Sequence, residues 1–168
     1  MEDIIQSLDT LDISIVNICT EDNVSYNIRV DYMLKCCKLF QCLPTIEETI
    51  RMNVGSFEFK HILDFINHYK GDMPEVKFEK PLKIRNIKEV VDEYSYNFLT
   101  RFSYGDSIEF FEYVRLREDI YKVIQACNYL GFDYLYNICT VYIASLVKGI
   151  PILYVNKVLK EDKMILKK

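Results

Sequence analysis

Two histidines and a cluster of three cysteines are the side chains in this 168-residue chain best suited to chemistry. His61 and His68 stand seven residues apart on one helical pattern. A zinc pair on a helix needs a spacing of four and further ligands, so these two read as ordinary helix-edge histidines. Cys36, Cys37 and Cys42 have no C-x-x-C arrangement and no histidine beside them in sequence, which leaves helix packing and loop thiols as their role. Cys19, Cys127 and Cys139 complete the six and lie in regular strand or helix patterns, where a free thiol serves as a small hydrophobe. Adjacent cysteines seldom bridge each other, so reduced thiols of a cytosolic or nuclear protein are expected rather than disulfides. The chain carries no phosphate-cradling glycine loop, nucleophile elbow or H-E-x-x-H run. Its five glycines supply few strained catalytic turns. The expectation is a protein that binds rather than reacts, with no catalytic residue, cofactor or metal.

Bulk properties agree with that expectation. Half the residues are apolar and 27% are charged, a balance that supports a packed core. The net charge of -4 offers no basic stripe for phosphates, which argues against nucleic acid as a partner. The N-terminal stretch MEDIIQSLDTLDI is acidic where a targeting peptide needs basic residues. No apolar run approaches the ~20 residues that span a bilayer, so no membrane association is expected. Ala126 and Ala144 are the only alanines, while Ile, Tyr, Lys and Asn abound. That is the bias of an AT-rich coding sequence and points to a parasite or large DNA virus as source.

The elements that must position any binding residues follow from periodicity. Ile13–Cys19 and Val24–Val30 read as two strands of a hairpin around the polar cluster Thr20–Asn23. Val24, Tyr26, Ile28 and Val30 alternate with polar residues and form the buried face of the second strand. Asp31 is placed to cap a helix Tyr32–Phe40, with Met33, Leu34, Cys37 and Phe40 at helical spacing. Ile50–Val54 is a candidate third strand. Ser56 opens an amphipathic helix Phe57–Tyr69 that turns Phe59, Ile62, Leu63 and Ile66 inward, and Gly71 ends it ahead of Pro74. Residues 72–104 are the least regular part, with a possible short helix within Val90–Phe102.

The segment Asp119–Leu159 carries the strongest pattern. Asp119 is placed as a cap for a helix bearing Ile120, Val123, Ile124, Cys127 and Leu130, which Gly131 ends. Asp133 is placed to cap a second helix with Leu135, Ile138, Cys139, Tyr142, Ile143 and Leu146 on one stripe, closed by Gly149. Pro151 suits the start of a third, with Ile152, Val155 and Leu159 on one side. Tyr134, Tyr136, Tyr142 and Tyr154 add aromatic edges, so this end has more apolar surface than its own helices can cover. Such surface marks protein interfaces, although a helix stripe on its own reports burial and not what covers it.

The words Gln125-Ala-Cys-Asn-Tyr-Leu130 and Ser145-Leu-Val-Lys-Gly149 resemble, in order and separation, the A-A-N-Y-L and M-I-K-G words of the Skp-one-like adaptors of SCF ubiquitin ligases. The helix Ile62–Gly71, followed by Asp72 and Pro74, is similar to that family's histidine-containing helix before its acidic loop. The resemblance implies an α/β, BTB/POZ-like fold over residues 1–130, with a variable loop at 72–111. It also implies a C-terminal helical extension at 131–160 and a tail at 161–168. Its functional implication is an adaptor that holds a cullin on one side and the F-box of a substrate receptor on the other. Asn128 and Tyr129 match the family's cullin-contacting pair. Tyr121 and Ile124 match positions beside the F-box groove. Leu135, Ile138, Tyr142, Leu146, Val155 and Leu159 lie on the helices that form that groove.

Departures from the family pattern frame the alternative. The segment between Asp72 and Phe111 is more basic than the family's acidic loop. Near Pro151 the family's Thr-Pro pair is not reproduced. KEDKMILKK stands where the family carries a long tail helix. These differences point to a cullin-binding decoy, or to a self-associating BTB protein that forms a homodimer, lacking F-box binding.

Overall fold

The computed structural model describes residues 15–76, 87–102 and 110–147, without the side chains of 110–118 and 146–147. The expected helix after Pro151, the tail, and the side chains of Leu146, Val155 and Leu159 lie outside the described residues. Two compact units divide the chain: Met1–Met73 with Gln125–Leu135, and Pro74–Ile124 with Tyr136–Lys168.

The first unit is built on a small sheet. Strand β1 (Ile15–Cys19) pairs antiparallel with β2 (Ser25–Arg29), with Ile18 opposite Tyr26 and Val16 opposite Ile28. Strand β3 (Thr49–Arg51) runs parallel to β1 on its other edge, giving the order β2-β1-β3. The hairpin turns at Asn23, whose φ of 61° is tolerated by a short polar side chain. Thr20 is buried there, its hydroxyl meeting the Asp22 carboxylate at 2.7 Å while accepting from the Val24 N–H at 3.2 Å.

The second strand is shorter than its alternation predicts. Ile28 and Val30 are buried, and Tyr26 is half-buried with its hydroxyl donating to the Ser56 carbonyl at 3.0 Å. Val24 is 40% exposed because it belongs to the turn, past the end of the pairing. Val30 already begins helix α1 (Val30–Cys36), so Asp31 lies in the first turn and is not its cap. Its carboxylate instead receives the Arg29 guanidinium at 2.7 and 3.0 Å, and that guanidinium stacks 4.3 Å above the Tyr32 ring.

The single helix expected over Tyr32–Phe40 is broken. Cys37 has extended backbone (φ -114°, ψ 113°) between α1 and α2 (Lys38–Gln41). The break lets Met33, Cys37 and Phe40 all reach the core, and the Lys38 N–H finds the Gly131 carbonyl at 3.4 Å in place of a helical partner.

Helix α3 (Ser56–Tyr69) buries Phe59, Ile62, Phe65 and Ile66. Phe65 therefore takes the inward position expected of Leu63, which is half-buried. At its N-terminus Gly55 offers no side chain, and Asp22 from the hairpin turn substitutes. The Ser56 N–H donates to Asp22 at 3.0 Å and the Ser56 hydroxyl donates to the same carboxylate. The Ser56 hydroxyl first, then the Thr20 hydroxyl, and last the Ser56 N–H hold the Asp22 carboxyl below its ordinary value of 3.8. A depressed carboxylate stabilises the fold above the unfolded-state value, and the contribution fades as pH falls through the folded one. Asp22→Asn is therefore expected to be the less stable protein at neutral pH. Its deficit should shrink in acid, as read from thermal midpoints between pH 7 and pH 3. A deficit independent of pH would show that charge at Asp22 is irrelevant.

Helix α5 (Phe110–Leu130) enters this unit from Gln125 onward. It runs straight through Asp119, the expected cap, because no glycine or proline interrupts the pattern before Gly131. It ends with the Phe132 N–H on the Cys127 carbonyl at 2.8 Å and the Gly131 N–H on the Asn128 carbonyl at 3.2 Å. This is a Schellman stop with Gly131 at φ 65°. Phe132 is buried behind it, and α6 (Asp133–Val147) begins at once, with Asp133 in its first turn paired to Lys38.

The second unit contains a 3₁₀ turn (Ile87–Glu89) and α4 (Glu93–Thr100), which realises the short helix expected within Val90–Phe102. Asp92 caps it by accepting from the Ser95 N–H at 2.8 Å. Ile87, Val91, Phe98, Leu99 and Phe102 are buried, as are Ile120 and Val123 of α5 and Ile138, Cys139 and Tyr142 of α6.

Candidate interaction surface

In the first unit, the last turn of α5 presents Gln125, Asn128 and Tyr129 to solvent while Ala126, Cys127 and Leu130 are buried. Tyr129 is 44% exposed, and its hydroxyl accepts from the Asn53 N–H at 3.5 Å, in the loop between β3 and α3. Ordering this turn is the work of the Schellman stop and of Phe132, whose ring lies 6.2 Å edge-on to Phe65 of α3. A tyrosine fixed at a rigid helix end presents area with little side-chain entropy left to lose, the property of an interface anchor. Asn128 stands beside it with its side chain exposed. The structure brings these two predicted residues together on an accessible surface.

The predicted groove residues fall differently. Tyr121 is 54% exposed and Ile124 half-buried. Leu135, Ile138 and Tyr142 are 0%, 0% and 4% exposed, so this stripe is covered within the chain itself. The neighbouring Cys139 thiol is pushed well above its usual range by burial, as a core thiol is. On α6 the exposed large side chain among the described residues is Tyr136, which the apolar stripe does not include because it lies about 100° around the helix from Leu135. Its signal in the sequence was the run of tyrosines and not the spacing.

Among the described residues no group of three or more His, Cys, Asp or Glu side chains is arranged to hold a metal ion. His61 packs edge-on to Phe57 at 4.7 Å and His68 to Tyr69 at the same distance, as helix-edge side chains. Also among the described residues, no helix is long and apolar enough to cross a membrane. A cavity in the first unit, about 510 Å³, is an open groove bordered by the Lys35–Asp72 ion pair at 2.7 Å and by Phe132, Asp133 and Tyr134.

No family model matches the chain. Over 88 residues it is 29% identical to an S-phase kinase-associated protein 1 homolog of Tetrahymena thermophila. The chain is similar to an Skp-type protein. The aligned stretch takes in 52% of this chain and 45% of the relative, so the chain spans about half the length of the curated relative it matches. The mixed architecture, a small three-stranded sheet packed with helices, is consistent with the BTB-like fold of such proteins.

Proposed function

We propose that this protein is a non-enzymatic adaptor of a ubiquitin ligase, joining a cullin to an F-box substrate receptor. The observation that carries the reading is the exposed Asn128–Tyr129 pair on the rigid end of α5, in a chain similar to an Skp-type protein. Asn128 and Tyr129 are assigned to the cullin contact. Tyr121 and Ile124 are assigned to the receptor side, together with Leu146, Val155 and Leu159. Leu135, Ile138 and Tyr142 support that side from within the chain, where they are buried. The adaptor contributes effective concentration, because tethering makes the encounter of substrate and transfer machinery intramolecular.

Tyr129→Lys is the test. The variant is expected to keep its circular dichroism and thermal midpoint, because the ring is substantially exposed, while losing cullin. A buried ammonium with no partner in the interface costs about 2 kcal/mol or more, roughly thirtyfold in affinity. Unchanged cullin retention by Tyr129→Lys would remove the assignment.

The burial of Leu135, Ile138 and Tyr142 favours a second reading, a cullin-binding decoy or self-associating protein that takes no receptor. Retention of an F-box peptide on the immobilised protein supports the adaptor. Cullin binding without peptide binding supports the decoy.

A further inference from the structure

Cys36 closes α1, and Cys37 is the extended residue between α1 and α2. Their sulfur atoms lie 3.8 Å apart. Cys36 is half-buried, lines the open groove of about 510 Å³, and donates its thiol hydrogen to the Tyr32 carbonyl at 3.2 Å. Cys37 is wholly buried directly behind it. One sulfur thus faces a groove and the second stands within reach of anything bound to the first.

Joining the two as a disulfide is disfavoured by the backbone. Adjacent Cα atoms are about 3.80 Å apart across a trans peptide, short of the roughly 4.4–6.8 Å that disulfides span. A ligand that bridges two sulfurs through a third atom escapes this restriction. It has to be thiophilic and satisfied by two thiols, because no larger ligand group exists among the described residues.

We propose that Cys36 and Cys37 form a dithiol capture site for trivalent arsenic compounds, with an arsenoxide, R–As=O, as the fitting class. In the capture step both S–H bonds and the As=O bond break, and two As–S bonds form. The oxygen leaves as water with the two thiol protons, and arsenic stays trivalent, so no oxidant or reductant is needed. Cys36 reacts first from the groove, and Cys37 closes the chelate. The contact with Cys36 and then burial keep the Cys37 thiol protonated, the form this condensation consumes. Cys42, exposed on its own loop, offers one accessible thiol and serves as the internal control.

The test uses phenylarsine oxide on the full chain under native conditions. One adduct per molecule is expected, with two titratable thiols lost for each. It should resist excess monothiol, be released by a dithiol, and map by mass spectrometry to Cys36 and Cys37. Cys36→Ser is expected to lose monothiol-resistant retention entirely, and Cys42→Ser to keep it. Cys37→Ala should behave as Cys36→Ser does. Because Cys37 is a core position, Cys36→Ser carries the decision should Cys37→Ala fail to fold. Absence of a retained adduct, retention that survives Cys36→Ser, or an adduct on any other pair of cysteines would overturn the assignment.

Discussion

Phe65→Ala is expected to lower the thermal midpoint by on the order of 10 °C. The ring is fully buried on α3 and meets three aromatic rings: Tyr69 at 5.0 Å, Tyr134 at 5.9 Å and Phe132 edge-on at 6.2 Å. Removing it deletes the lost transfer energy and leaves a cavity, together about 3–5 kcal/mol. For a chain of this length each kcal/mol moves the midpoint by roughly 2–4 °C. The matched control is Phe57→Ala, two turns earlier on the same helix but exposed. Its cost is expected within about 0.5 kcal/mol. Equal midpoints for the two variants, read by circular dichroism, would show that Phe65 does not join α3 to the α5–α6 junction. The same loss should loosen the last turn of α5, so Phe65→Ala is expected to weaken any partner that relies on Tyr129.

Gly71→Ala has the second-largest expected effect, a destabilisation of about 2–4 kcal/mol. Gly71 stands at φ 81°, a conformation that costs any L side chain. A Cβ there falls 2.6 Å from the Tyr32 carbonyl oxygen and 3.0 Å from its Cα, and neither backbone atom can step aside without moving α1. The preceding Lys70, at φ 53°, already occupies the left-handed region with a side chain attached. Lys70→Gly is therefore expected to raise the midpoint where Gly71→Ala lowers it. Denaturant titration of both variants checks the pair, and a neutral Gly71→Ala would show that α1 yields at low cost.

Much of this architecture was legible from residue spacing. The hairpin around Thr20–Asn23, the inward face of α3 at Phe59, Ile62 and Ile66, and the stop at Gly131 each rest on a local rule: alternation, a 3.6-residue period, or a left-handed position that suits glycine. The reading of the cysteines as free thiols agrees with all six in the structure. Asn128 and Tyr129 were nominated by resemblance, and both are exposed in the structure.

Other features had no local signal. Leu63 and Phe65 both lie near the edge of an apolar arc, and the aromatic partners from the α5–α6 junction decide which one turns in. The cap of α3 comes from Asp22, thirty-four residues upstream of Ser56, so no window along the chain reveals it. The break at Cys37 exists because the Lys38 N–H is satisfied by Gly131 from a distant helix end.

By itself, then, the amino-acid order determined roughly where the hairpin, α3 and the end of α5 lie and most of the apolar face of each, since these depend on neighbours a few residues away. Only the tertiary structure decided what covers those faces: Leu135, Ile138 and Tyr142 are buried within the chain, while Tyr129 and Tyr121 are left to solvent. Periodicity records that a side chain avoids water. The surface that shields it is supplied by residues far away in sequence, and their meeting is a property of the packed molecule.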